Sequence, residues 1–141
     1  MLLALVAFMA SCGSGAAALE DNANDLPLQT DAQTPVKSGS VSSQEAKALL
    51  AQQKDIVILD IRTPGEWASG YLQGAQLMNF YDADFSERLQ AMDPAKPYLV
   101  YCAVGGRSKE ALAIMNKLGF KRVYEAKEGF NALKKAGIPV E

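Results

Sequence analysis

Residues 98–118 read YLVYCAVGGRSKEALAIMNKL, and this stretch decides the fold. Tyr98-Leu99-Val100-Tyr101-Cys102 is an apolar, β-prone run of the kind that suits a strand buried on both faces. Ala103-Val104-Gly105-Gly106-Arg107 ends the run with two adjacent glycines. From Ser108 onward, Leu112, Met115 and Leu118 recur at helical spacing, and Gly119 supplies a C-terminal stop. Strand, glycine loop and helix in direct succession predict a unit of parallel α/β architecture.

The alternation continues on both sides. Ser42 or Ser43 can cap a helix over 44–51, with Ala46, Leu49 and Leu50 on one face. DIVILD at 55–60 is a second buried strand. Thr63-Pro64-Gly65-Glu66-Trp67 reads as a capped helical turn with Pro64 at a first helical position. A strand is expected at 75–79, a helix at 85–92 through Phe85, Leu89 and Met92, a short strand at Val123-Tyr124, and a closing helix at 131–136 ended by Gly137. The sum is one α/β domain over 41–141, built on a central parallel sheet of about five strands with helices on both faces. Ligands of such sheets bind at the carboxyl ends of the strands.

The chain has 141 residues, room for one domain, and its 14 basic against 16 acidic residues give a net charge of −2. That balance argues against nucleic acid as a partner. There is no histidine, which removes Ser-His-Asp and Cys-His triads, HExxH metalloproteases and His-based zinc sites. The two cysteines, Cys12 and Cys102, form neither a CxxC redox pair nor a thiolate zinc centre. No metal or organic cofactor is expected.

The N-terminus reads differently from the rest. MLLALVAFMA at 1–10 is too short to span a bilayer but fits the apolar core of a secretory signal. Ala10 and Ser11 before Cys12 resemble a bacterial lipobox, in which the cysteine thiol is acylated; residues 1–12 are therefore expected to be a lipoprotein-type signal. Met9 stands where Leu is commonest, and a basic segment does not precede the apolar run. Residues 13–40 are rich in Gly, Ala, Ser and Asn, carry Pro27 and Pro35, and show no apolar face, so a flexible polar tether is expected. Its acids, Glu20, Asp21, Asp25 and Asp31, leave the remaining domain mildly positive.

Two places at strand ends carry chemistry. After Cys102, the glycine pair permits a tight turn whose amides point inward, and the helix that follows adds its positive end. Both favour thiolate over thiol, and Arg107 could add a full charge. Lowering a cysteine pKa by about 2 units corresponds to roughly 2.7 kcal/mol of preferential thiolate stabilisation. A buried structural cysteine is the ordinary alternative for such a residue. The second place is Asp60-Ile61-Arg62, where a carboxylate and a guanidinium two residues apart point the same way from an extended chain. Taken alone, it reads best as a strand-end ion pair.

Residues 59–75, LDIRTPGEWASGYLQGA, followed by VYCAVGGRS at 100–108 and EGFNALKKAGIPV at 128–140, resemble a single-domain rhodanese (thiosulfate sulfurtransferase). The resemblance covers the whole predicted domain. It implies a doubly wound fold, with Cys102 as the nucleophile that takes a sulfane sulfur as a persulfide and passes it to cyanide or a thiol. The amides of Ala103, Val104, Gly105, Gly106, Arg107 and Ser108 would hold the substrate anion, with Arg107 assisting its approach. Asp60 and Arg62 would support the loop and fold.

Two departures stand out. Tyr71 occupies a position where the family commonly has histidine, which should change local packing, and Ala103 replaces an often basic loop residue, which should weaken binding of a dianion such as thiosulfate. Related phosphatases and arsenate reductases use Cys-x5-Arg; four residues between Cys102 and Arg107 make a smaller cradle that favours sulfur. The rival reading is a non-catalytic rhodanese-like docking or sensory module at the membrane. In either case the chain is expected to be a lipid-anchored monomer on the periplasmic or cell-surface side of a bacterial membrane, and its lone mature thiol is expected to be exposed for reaction.

Overall fold

The computed structural model describes residues 37–141; the signal expected at 1–12, including Cys12, and residues 13–36 of the tether lie outside the described residues. Ten elements alternate: β1 (Gly39–Val41), α1 (Ser43–Gln52), β2 (Val57–Asp60), α2 (Pro64–Trp67), β3 (Gln76–Leu77), α3 (Phe85–Gln90), β4 (Pro97–Tyr101), α4 (Gly106–Lys117), β5 (Arg122–Ala126) and α5 (Gly129–Lys135). Ser42 starts α1 by exchange with Glu45: the Ser42 amide donates to Glu45 Oε2 at 2.7 Å, and the Glu45 amide donates to Ser42 Oγ at 3.3 Å.

Every strand pair is parallel, and the order across the sheet is β1-β5-β4-β2-β3. Strand alternation divides the core into two layers. Leu59, Tyr98, Val100 and Val123 pack with Phe85, Leu89, Ala111 and Met115 on the α3 and α4 face. Leu99, Tyr101 and Tyr124 pack with Leu49, Phe130 and Leu133 on the α1 and α5 face. The chain leaves β2 towards β3 at one edge and leaves β4 towards β5 on the other side. The topological switch point therefore falls where the carboxyl ends of β2 and β4 lie side by side, the place at which doubly wound sheets bind ligands.

The elements expected from the sequence are all present with bounds shifted by one or two residues, β1 is an addition to them, and four of these differences matter for the site. β1 was not expected, because Gly39 and Ser40 have the composition of a tether; the parallel ladder to Tyr124 and Glu125 makes them strand. β3 has two residues, against the five expected at 75–79. β5 extends from Val123-Tyr124 through Glu125, whose charge reads as an interruption in sequence yet is buried here. α4 opens at Gly106, two residues before Ser108, because Gly105 takes the left-handed conformation that starts it.

Candidate active site

Cys102 is the first residue beyond β4, and the turn that follows folds around its sulfur. The Gly105 amide donates to Cys102 Sγ at 3.1 Å, and Ser108 Oγ lies 3.5 Å from the same atom. Gly105 has φ 92° and ψ −13°. A side chain there would be strained and would collide with the Lys127 carbonyl, so only glycine lets the turn close this tightly. Burial pushes the Cys102 thiol up, but the Ser108 hydroxyl and the backbone amides of Ser108, Val104 and Gly105 outweigh it. The thiol ends below its ordinary pKa, as the glycine pair and the helix start led us to expect.

A second turn clamps the first. The Phe130 amide donates to the Cys102 carbonyl at 2.9 Å. Gly129, at φ 75°, packs so closely that a Cβ would collide with the Ala103 carbonyl. Phe130 in turn lies beneath Arg62, whose guanidinium carbon is 3.9 Å from the ring centroid. Arg62 Nε donates to both oxygens of Asp60 at 3.0 Å, and its Nη2 donates to the Gly70 carbonyl at 2.7 Å. The Tyr101 hydroxyl donates to Asp60 Oδ2 at 2.6 Å and accepts from the Leu72 amide at 2.9 Å. Asp60 and Arg62 are 0% and 2% exposed, so they form a bonded, buried pair.

Arg107 has a partner that the sequence did not reveal. Its two terminal nitrogens donate to Glu66 Oε1 and Oε2 at 2.7 and 2.9 Å, and its guanidinium carbon lies 5.6 Å from the centre of the Tyr81 ring. The Arg107 guanidinium, with help from Thr63, lowers the Glu66 carboxyl from its ordinary 4.5 to about 2. Thr63-x-x-Glu66 reads in sequence as a helix start, and Glu66 does accept from the Thr63 amide and hydroxyl at 2.9 and 2.8 Å. Nothing local marks its second partner.

The expectation of an exposed thiol is corrected. Cys102 is 0% exposed and belongs to the layer formed by Leu59, Val100, Ala111 and Met115. The cause is the same turn that lowers its pKa: amide, hydroxyl and core side chains enclose the sulfur. Val104, 80% exposed, and Tyr81, 67% exposed, stand outside this enclosure as the two exposed large apolar residues among the described residues. Ala103 contributes its carbonyl to the contact with Gly129, while Gly106 and Arg107 open α4.

The pattern of a rhodanese-like domain matches residues 42–136. The chain belongs to the rhodanese-like family. Among curated relatives, the thiosulfate sulfurtransferase GlpE of Pseudomonas entomophila is 37% identical over 91 residues, covering 64% of this chain and 79% of GlpE. A sulfurtransferase of Allochromatium vinosum is 28% identical over 100 residues, covering 71% and 92%. The probable adenylyltransferase/sulfurtransferase MoeZ of Mycobacterium tuberculosis is 30% identical over 109 residues, 77% of this chain but 28% of MoeZ, so the chain spans under a third of that relative. Two solved rhodanese-like domains share the fold. One from Anabaena has a TM-score of 0.64 at 26% identity and covers 72% of this chain and 77% of its own. The other, from Staphylococcus aureus, has 0.62 at 25% identity and covers 75% and 99%. In this rhodanese-like domain the five-stranded parallel sheet and the motif order agree with the family resemblance carried by the sequence. Tyr71 joins the C-terminus to the domain, its amide and carbonyl pairing with the Glu141 backbone at 2.9 Å each.

Proposed function

We propose that this rhodanese-like domain is a sulfurtransferase of the thiosulfate sulfurtransferase type. The Cys102 thiolate attacks the sulfane sulfur of thiosulfate or a similar donor, the donor's S–S bond breaks, and sulfite leaves with the electron pair. The resulting Cys102 persulfide is attacked at its outer sulfur by cyanide or a thiol, which restores the thiolate. One observation carries this reading: the Gly105 amide and the Ser108 hydroxyl converge on a single sulfur at the carboxyl end of a central strand. Among the turn residues, the amides of Val104, Gly105 and Ser108 already favour negative charge at that sulfur, and the same donors would receive the anionic substrate. Because Cys102 is 0% exposed, the enclosure around Sγ has to open for a donor to reach it.

Charge bears on the donor. Glu66 compensates Arg107, and Ala103 is neutral, so the turn itself offers no excess positive charge to a dianion. Thiosulfate capture should therefore saturate weakly and change little with salt. The lipobox-like segment at 1–12 supports acylation of Cys12 and a domain tethered on the periplasmic or cell-surface side of a bacterial membrane; metabolic labelling with a fatty-acid analogue, lost in Cys12→Ser, tests that anchor.

A docking or sensory role is the second reading, favoured by the enclosed thiol and by the exposed Val104 and Tyr81 beside it. Thiocyanate formation from thiosulfate and cyanide separates the two. Activity that disappears in Cys102→Ser supports the transferase; absence of activity in both proteins supports docking.

A further inference from the structure

The chain contains no histidine, so no imidazole can take the proton of Cys102, and its nearest side-chain neighbours are the other acceptors to consider. Ser108 Oγ lies 3.5 Å from Cys102 Sγ and donates to Glu125 Oε1 at 2.7 Å. All three residues are buried, at 0% for Cys102 and Ser108 and 1% for Glu125. Glu125 lies in β5, in register with Ser40 of β1 and Val100 of β4. It shares its sheet face with Val123, so α4 covers it. The salt bridges among the described residues are Asp60–Arg62, Asp82–Arg88 and Glu66–Arg107, and none includes Glu125. Among the described residues, this buried carboxyl group has a hydroxyl partner and no cation, a placement that packing alone does not call for.

The Ser108 hydroxyl has one hydrogen and three acceptors in reach: Glu125 Oε1, the Gly105 carbonyl at 3.1 Å and Cys102 Sγ. While it donates to an ionised Glu125, its lone pair faces the thiol and accepts the S–H. Moving both hydrogens one place along the chain reverses this: Ser108 takes the sulfur's proton, its own passes to Glu125 Oε1, and the hydroxyl then donates to the thiolate. One S–H bond and one O–H bond break, two O–H bonds form, and the total charge does not change.

Resting on the reading of Cys102 as the sulfur-accepting nucleophile, we propose that Glu125 ionises Cys102 through Ser108, so that thiol and carboxylate share one negative charge. Glu125 is then a positioning residue that reaches the nucleophile only through another side chain. The exchange needs no bulk water, which suits a sulfur enclosed by its own turn.

Other charged groups around this chain are already engaged or turned away. Arg107 of α4 is held by Glu66 of α2, and Lys109 and Glu110 of α4 are exposed. From the sheet, Tyr98 of β4 donates to the Asp93 carbonyl, and Asp60 of β2 is bonded to Arg62 and Tyr101. β1 brings no titratable side chain, and Lys127, beyond β5, is exposed.

Ultraviolet absorbance of the thiolate, followed against pH and corrected with the matching Cys102→Ser protein, tests the proposal without requiring access to the sulfur. The wild type should ionise in two steps separated by a plateau, as a coupled pair does. Glu125→Gln and Ser108→Ala should each lose the lower step and titrate once. A single step in the wild type, or two steps retained in either variant, would overturn the relay. Should Glu125→Gln fail to fold by circular dichroism, Ser108→Ala, which keeps the carboxylate and cuts the path to it, decides alone. Persulfide formation together with a one-step titration rejects the relay and leaves the transferase standing; a two-step titration without persulfide formation does the reverse.

Discussion

Glu66 holds Arg107 across 41 residues of sequence, and the consequence is a pH dependence. Its folded pKa of about 2 lies below the ordinary 4.5, so the ionised pair contributes stability above about pH 4.5 and loses it as pH falls towards 2. The pair is partly exposed, so its contribution is about 1 kcal/mol or less. Glu66→Gln should therefore lower the urea midpoint near neutrality, and the gap to wild type should close as the pH approaches 2. The same substitution releases the Arg107 charge, and thiosulfate capture should become tighter. A larger effect belongs to the buried pair: Asp60→Ala strands Arg62 and should cost about 3–5 kcal/mol in urea unfolding. At this scale the glycine turn closing on Cys102 was legible, because a strand, two glycines and a helix start are contiguous. Glu66 and Glu125 were not, since their partners lie 41 and 17 residues away and meet them only through the tertiary register.

The turn around Cys102 is shaped less by its own residues than by the elements that press on it. Gly129, at the start of α5, touches the Ala103 carbonyl, and Gly65 in α2 has open space around it. Gly129→Ala should displace the turn, reduce sulfur capture on the order of 100-fold, as misplacements of about 1 Å do, and destabilise the fold. Gly65→Ala should leave activity intact and raise thermal stability by up to about 1 kcal/mol through helix propensity. A closing motif around Gly129 could be seen in the sequence, but its contact with the Cys102 turn could not, because α5 and β4 meet only after the sheet is assembled. β1 was missed for the same reason: pairing with β5, not local propensity, makes Gly39–Val41 a strand.

Across the described domain, the order β1-β5-β4-β2-β3 sets two core layers on a central sheet and puts the topological switch between β4 and β2. Leu59, fully buried in β2, should cost about 2–5 kcal/mol when replaced by alanine, whereas Val104→Ser on the exposed rim should stay within about 0.5 kcal/mol of wild type in thermal unfolding. The α/β class was legible because β2 and β4 are short apolar runs between helical repeats; the enclosure of Cys102 was not, since burial depends on how a loop settles over both layers. That enclosure makes the mass of the whole chain the most direct test of the central claim. After exposure to thiosulfate or a small persulfide, intact-mass analysis should show one added sulfur atom on Cys102, removed by cyanide and absent from Cys102→Ser. A chain whose mass stays unchanged under both donors, while its thiol still titrates below the ordinary cysteine range, would contradict sulfur transfer at this site.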